Sequence, residues 1–223
     1  MAFEVDHLFI CTSLGGAEAT HLAAFGLTEG APNTHPGQGT ACRRFFFANC
    51  YLELLWVSDA AEARSEAVRA THLSERWENR ACGACPFGFG FRPKIKHDDG
   101  VPFSGWEYRP PYLPSPLSVH VARNAKVQGE PMLFYLSFAQ RPDAYPTAGR
   151  PWLQHPAGLR EVTSIALTSP HAEGLSPAMA AVTGSGLFQL RAGSEYHVEL
   201  GFDGESRCQQ ADFRPLLPLG LRW

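Results

Sequence analysis

One run of the chain, Tyr51-Leu52-Glu53-Leu54-Leu55-Trp56-Val57, constrains the fold more than any other. It is apolar enough to be a covered β-strand, yet it carries a carboxylate at its centre. Side chains alternate across a strand, so Leu52, Leu54 and Trp56 share one face while Tyr51, Glu53, Leu55 and Val57 share the other. Glu53 therefore belongs to an apolar, covered surface. An ionised carboxylate alone there is costly, so it calls for a metal cation, an arginine or histidine partner, or a raised pKa. A salt-bridged structural role and a metal or catalytic role meet that requirement equally well.

A second strand reads from Val5 to Thr12, with His7, Phe9 and Cys11 on one face and Asp6, Leu8 and Ile10 on the other. Ser13 to Gly16 turns the chain, and Ala19, Leu22, Ala23 and Gly26 recur at helical spacing, a short helix closed by Gly26. Laid over Leu8, Ile10, Leu52, Leu54 and Trp56, that helix leaves His7 and Glu53 facing a common concave side. The Gly-rich loop Thr34 to Thr40 leads to a strand over Ala41 to Phe47, and Asn49-Cys50 turns into the Glu53 strand. The order is βαβββ, a unit too small to bury its sheet alone, which calls for a second copy.

A helical segment follows from Asp59, an N-cap, through Leu73 and Trp77 on one face. Four strand-like runs come next (Phe87 to Arg92, Trp106 to Arg109, Leu117 to Arg123, Met132 to Phe138), separated by Pro-rich loops that favour edge strands. Residues 141–158 read as a linker. Val162 to Ser169 then repeats the apolar pattern of the first strand, Ser176-Pro177 opens a helix that Gly184 or Gly186 closes, Tyr196 to Leu200 echoes the Glu53 strand, and Phe213 to Trp223 ends the chain. The expected division is 1–58 as a first module, 59–140 as a connector helix and strand-rich centre, 141–158 as a linker, and 159–223 as the second module packed pseudo-symmetrically on the first.

Composition narrows the function classes. A net charge of -3 and a pI near 6.3 over 223 residues give no basic footprint, which argues against a nucleic-acid partner. No apolar tract of about 18 residues and no export signal is found, so a membrane is not expected and a cytoplasmic location is. The 18 prolines and 21 glycines favour short strands over long helices. Cys11, Cys42 and Cys50 read as small buried hydrophobes or reduced thiols. Cys82-Gly83-Ala84-Cys85 lacks a second ligand pair, so neither a metal nor a disulfide is expected there.

Asp6-His7-Leu8, Phe25-Gly26-Leu27, His35-Pro36-Gly37-Gln38-Gly39-Thr40 and Tyr51-Leu52-Glu53-Leu54 together resemble the glyoxalase-like branch of the vicinal oxygen chelate superfamily. The resemblance implies an α+β fold in which paired βαβββ modules form a half-open, barrel-like mixed sheet with helices on its convex face. It implies His7 and Glu53 as ligands of a divalent metal (Mn, Fe, Ni or Zn), no nucleotide cofactor, a small oxygen-rich substrate and, as an oligomeric option, a homodimer. The second module departs from the pattern. It offers Ser164 where a histidine is expected, or Phe89 if the Phe87 strand is the counterpart, while Glu199 resembles the remaining carboxylate ligand. Glu199, His197 and His35 are thus the candidates for ligand or acid–base work, and Arg92, Trp106, Tyr108 and His120 for substrate binding. Of the adjacent Arg43 and Arg44, one must face inward and could neutralise Glu53 instead of a metal. The alternatives are a metal-free binding protein of the same fold and a partner-binding module using the Pro-rich surface.

Overall fold

The computed structural model describes residues 2–95 and 100–223. Its first module is β1 (Phe3–Cys11), α1 (Ala19–Phe25), β2 (Asn33–His35), β3 (Thr40–Phe46) and β4 (Tyr51–Val57), with β1 and β4 parallel and β2 and β3 added antiparallel beyond β4. Gly26 ends α1 with φ 109°, a left-handed turn that a residue with a Cβ resists. Asp59 caps the next helix, its carboxylate accepting from the Ala61 and Glu62 amides. The single connector helix expected from that cap is instead two short ones, α2 (Ala60–Ala63) and α3 (Leu73–Glu78), because His72 enters α3 from a left-handed φ of 54°.

The sheet partner of the first module is not the C-terminal segment. β5 (Phe87–Pro93) pairs antiparallel with the free edge of β1, and β6 (Gly105–Tyr108), β7 (Val119–Ala122) and β8 (Met132–Tyr135) complete an eight-stranded sheet in the order β2-β3-β4-β1-β5-β8-β7-β6. The second half mirrors the first strand for strand, so the paired module is 87–135. The Phe-Gly-Phe-Gly-Phe run of β5 explains the choice. Phe87, Phe89 and Phe91 fill the convex core, while Gly88 and Gly90 leave room on the concave face for the rings of Phe9 and His7. The prolines 110–116 lie between β6, an edge strand, and β7, and leave the inner pairing of β5, β8 and β7 intact. The class is α+β, and the mixed sheet curls into a half-barrel.

Residues 162–222 build a separate five-stranded sheet from β9 (Val162–Ser169), α4 (Pro177–Gly184), β10 (Gln189–Ala192), β11 (His197–Phe202), β12 (Gln210–Asp212) and β13 (Leu219–Arg222), ordered β10-β9-β11-β13-β12. Ser176 caps α4 through the Met179 amide, as the sequence implies, but β10 runs parallel beside β9, so this is not a copy of the first module. Its role is cover. Among the described residues no helix lies between β5 and β6, and α4 with its sheet packs Met179, Val182, Phe188 and Phe202 into the same apolar cluster as Phe87, Phe89, Leu52 and Ile10. The Phe89 and Phe188 rings stack with centroids 4.9 Å apart. The linker 141–158 is held down as well: His155 accepts from the Thr28 amide at 2.9 Å through Nδ1, and its Nε2 lies 2.9 Å from the Phe46 carbonyl. Of the Cys82–Cys85 pair, one thiol is exposed and the other buried, and both are free. No described helix is long and apolar enough to cross a membrane.

Candidate metal and ligand site

The site begins with an irregularity in β1. Val5 pairs with Phe91 and His7 with Gly90, so Asp6 is an extra residue bulged from the ladder. Strict alternation sends Asp6 and His7 to opposite faces; the bulge instead brings these neighbours together, with His7 Nδ1 2.7 Å from Asp6 Oδ1. The other Asp6 oxygen accepts from Arg92 at 2.9 Å. Burial alone raises the Asp6 pKa, but the hydrogen bond and charge of His7 together with Arg92 outweigh it and hold the carboxyl below its usual value. Burial likewise works against a charged His7, and the hydrogen bond to Asp6 with the charges of Glu53 and Asp6 overrides it, so the His7 pKa is raised.

His7 Nε2 then points at Glu53, 3.9 Å from Oε2, while Glu53 Oε1 accepts from the Cys42 thiol at 3.4 Å. The two histidine and carboxylate side chains do converge on the concave face. The arginine competitor is absent among the described residues. Arg43 faces outward and forms a two-pronged pair with Glu29 at 2.7 and 2.6 Å. Arg44 faces inward but donates to the Ala31 carbonyl and lies over the Phe46 ring. His35 is the second imidazole at the site, its Nδ1 2.9 Å from the Thr40 hydroxyl, its Nε2 3.0 Å from the Asn33 side-chain amide nitrogen and its pKa lowered by burial. Donor atoms of His35, Cys42 and Glu53 all lie within 4.8 Å of one another.

The His7 ring is wedged between Tyr51, stacked at 4.4 Å, and Phe134, edge-on at 5.1 Å, above Gly90. A Cβ on Gly90 would sit 2.7 Å from Phe134 Cε2 and 2.9 Å from His7 Cε1. Gly90→Ala is accordingly expected to cost roughly 1–3 kcal/mol through overpacking and to displace the imidazole, read by thermal unfolding and by the His7 ring resonances. An unshifted ring with unchanged stability would contradict this packing.

Of these groups His7, Asn33, His35, Arg44 and Glu53 form the polar end of a cavity of about 200 Å³; its other walls include Phe9, Leu55, Tyr108, Val119, Val121, Met132 and Phe134. An apolar cavity of about 150 Å³ accommodates benzene, so the space suits a small amphipathic molecule rather than a polymer. Tyr108 lines it, and its buried hydroxyl has no hydrogen-bond partner among the described residues.

Four of the expected site residues lie elsewhere in the fold, and a fifth only borders the site. Arg92 is 1 % exposed, donates to Glu4, Asp6 and the Asn49 carbonyl, and so holds Asp6 from behind without lining the cavity. His120 turns outward to Glu107 and the Phe103 carbonyl, its alternation with Val119 and Val121 putting it on the far face. Trp106 packs at the margin of the concave cluster without lining the cavity. His197 and Glu199 sit on β11 of the C-terminal sheet, near Asp212 and Arg191 respectively, because that strand is not the counterpart of β4. Cys42 is the residue the sequence reading missed. Its signal was the alternation of β3: opposite Leu55 and two residues from Arg44, it had to share the Glu53 face.

The register also identifies the true counterparts of the two ligand candidates. Phe9 pairs with Gly88 as His7 pairs with Gly90; β4 sets Tyr51 and Glu53 beside His7 and Phe9, and β8 sets Met132 and Phe134 beside Gly88 and Gly90. Exchanging the modules maps His7 onto Gly88 and Glu53 onto Phe134. Phe89 points into the convex core, and Ser164 bonds Glu205 in the other sheet. The second module thus supplies no ligand at either equivalent position.

A half-barrel of mirrored modules with a buried histidine and glutamate on its concave face defines a protein of the glyoxalase fold. Residues 5–87 match the family model for the Glyoxalase-like domain, in keeping with the vicinal oxygen chelate resemblance. No curated protein matches the sequence. Among solved structures, a hypothetical protein from Staphylococcus aureus shares the fold at TM-score 0.56 and 8 % identity, covering 99 % of both chains. A xylose isomerase-like TIM barrel/4-hydroxyphenylpyruvate dioxygenase fusion protein aligns at TM-score 0.46 and 12 % identity over 93 % of this chain and 37 % of its own.

Proposed function

We propose that this chain is a glyoxalase-like small-molecule enzyme in which His7 and Glu53 hold a divalent metal ion beside an apolar cavity, to polarise a carbonyl or enediolate of an oxygen-rich substrate. The observation that carries the proposal is Glu53 itself, a carboxylate 6 % exposed, without an arginine or lysine partner among the described residues and facing His7 Nε2 at 3.9 Å. The donor chemistry suits a metal: the Asp6 carboxylate accepts a hydrogen bond from Nδ1–H of His7, the tautomer that leaves a lone pair on Nε2. When bound, the ion supplies Lewis-acid stabilisation of negative charge on substrate oxygen. The remaining roles fall to the chain. His35, kept neutral by burial, offers its Nε2 lone pair to the site; the unpartnered Tyr108 hydroxyl offers a hydrogen bond to the ligand; Arg44 presents a cation at the polar end; Phe9, Val121 and Phe134 keep water from the reacting group.

A second reading has its own observation. Gly88 and Phe134 stand where a two-module ligand set needs donors, which favours a metal-free binding protein in which a protonated His7 offsets the charge of Glu53. Metal analysis of untagged protein purified without added metal, followed by titration with Zn²⁺, Fe²⁺, Ni²⁺ and Mn²⁺, separates the two. The enzyme reading expects one tightly held equivalent per chain, lost in His7→Gln; failure of all four ions to bind leaves the binding protein.

A further inference from the structure

We infer that Cys42 and His35 complete the metal site, so that one module alone holds the ion through a thiolate-containing set where the paired module has lost its donors. The inference rests on the reading that a divalent ion binds at His7 and Glu53. Its starting point is the register: Gly88 and Phe134, the counterparts of His7 and Glu53, carry no donor side chain, so further ligands have to come from the first module. Cys42 Sγ is 3.4 Å from Glu53 Oε1, while His7 Nε2 approaches the other oxygen, Oε2, so the carboxylate lies between thiol and imidazole. Tetrahedral zinc with metal–sulfur and metal–oxygen bonds of about 2.3 and 2.1 Å sets sulfur and oxygen about 3.6 Å apart, close to the separation found. The 4.8 Å limit on the His35, Cys42 and Glu53 donors exceeds the separation of about 3.6 Å in a tetrahedral set, so closure onto an ion draws the widest pair in by up to about 1 Å, and His7, which lies outside that group, approaches from the far side of Glu53.

The surroundings of His35 suit the role. With Nδ1 donating to the Thr40 hydroxyl, Nε2 carries the lone pair, and its present neighbour is the amide nitrogen of Asn33, which an ion would displace. Gln38 also donates to Thr40, at 2.8 Å, so the hydroxyl that orients the ring is itself fixed. Binding forms the sulfur–metal bond as Cys42 gives up its thiol proton to solvent, with no change of oxidation state. A thiolate beside imidazole and carboxylate selects Zn²⁺, Co²⁺, Fe²⁺ or Ni²⁺ over Mn²⁺ and Mg²⁺.

Cobalt tests this directly, because a Co²⁺–thiolate bond absorbs in the near ultraviolet by sulfur-to-metal charge transfer, and oxygen or nitrogen ligation does not. The full chain should carry Ser at Cys82 and Cys208, the two exposed thiols, so that only buried cysteines can answer. Titration with Co²⁺ alone is expected to give one equivalent with that band; Cys42→Ser should abolish the band and weaken binding by more than the roughly 10–100-fold that loss of an outer-shell partner costs. His35→Gln should weaken binding while keeping the band. Cys42→Ala, with thermal unfolding, serves as a second variant if the serine at this fully buried position disturbs folding. Stoichiometric Co²⁺ without the band, or a band that survives Cys42→Ser, overturns this inference and leaves the metal reading standing. Absence of any Co²⁺ binding overturns both.

Discussion

Glu53→Ala is expected to reduce bound metal from one equivalent to none while leaving the stability of the metal-free protein unchanged within about 1 kcal/mol, or raising it. The reasoning starts from what the carboxylate touches. Its neighbours are a thiol at 3.4 Å and an imidazole at 3.9 Å, and the imidazole keeps the Asp6 carboxylate at 2.7 Å when Glu53 is removed, so neither is stranded. Arg43 keeps Glu29 and Arg44 keeps the Ala31 carbonyl. Removing an unpaired buried carboxylate eliminates a desolvation cost and replaces it with an apolar methyl on an apolar wall. Thermal unfolding beside metal analysis, with His7→Ala as the control, gives the result. A loss of roughly 3–5 kcal/mol in metal-free protein, the penalty for breaking a buried ion pair, would make Glu53 a structural residue.

The opposite pattern is expected at Arg92, where stability and not ligand chemistry is at stake. Arg92→Met leaves Glu4, Asp6 and the Asn49 carbonyl without their shared donor, and Asp6, 3 % exposed, retains only His7. Breaking such a pair from one side costs roughly 3–5 kcal/mol, a fall in melting temperature on the order of 10 °C for a chain of this size. The pH dependence has a fixed sign. The Asp6 pKa is held below the ordinary 3.8, so the stabilisation it contributes is present above 3.8 and is lost as pH falls through the lower folded value. The gap between wild type and variant should therefore be widest near neutral pH and close in acid. A variant as stable as the wild type would free Arg92 for the ligand-binding role first expected of it.

The part of this molecule that follows from local periodicity was legible in the sequence: the β1-α1-β2-β3-β4 order, the Gly26 and Ser176 caps, and the convergence of His7 and Glu53 all come from spacing within a few residues. What was not legible is set by partners distant in the chain. Tyr196-His197-Val198-Glu199-Leu200 carries the same alternation as the Glu53 strand, and alternation cannot say which sheet a strand joins. The Phe-Gly alternation of residues 87–91 did hold the answer, since glycines on one face need a bulky ring from the neighbouring strand to fill the space, but only the pairing with β1 shows that the rings are those of His7 and Phe9. Asp6 is the sharpest case. A bulge is one residue of slippage in a ladder, and it turned a residue assigned to the core face into the group that orients His7.

The borrowed cover over β5 bears on how the gene can be cut. Residues 141–158, rich in proline, glycine and alanine, look like the natural place to divide the coding sequence for expression of an isolated glyoxalase-like half. Yet Phe87, Phe89 and Phe91 are shielded by Met179, Val182 and Phe188 from beyond that point, and the Asn49 side chain is pinned at both ends to the Val162 backbone. A fragment stopping at 140 would present a bare aromatic sheet face to water and should precipitate or recruit chaperones. The eight-stranded half and its C-terminal cover therefore form one folding unit, because the apolar face of each is closed by the other.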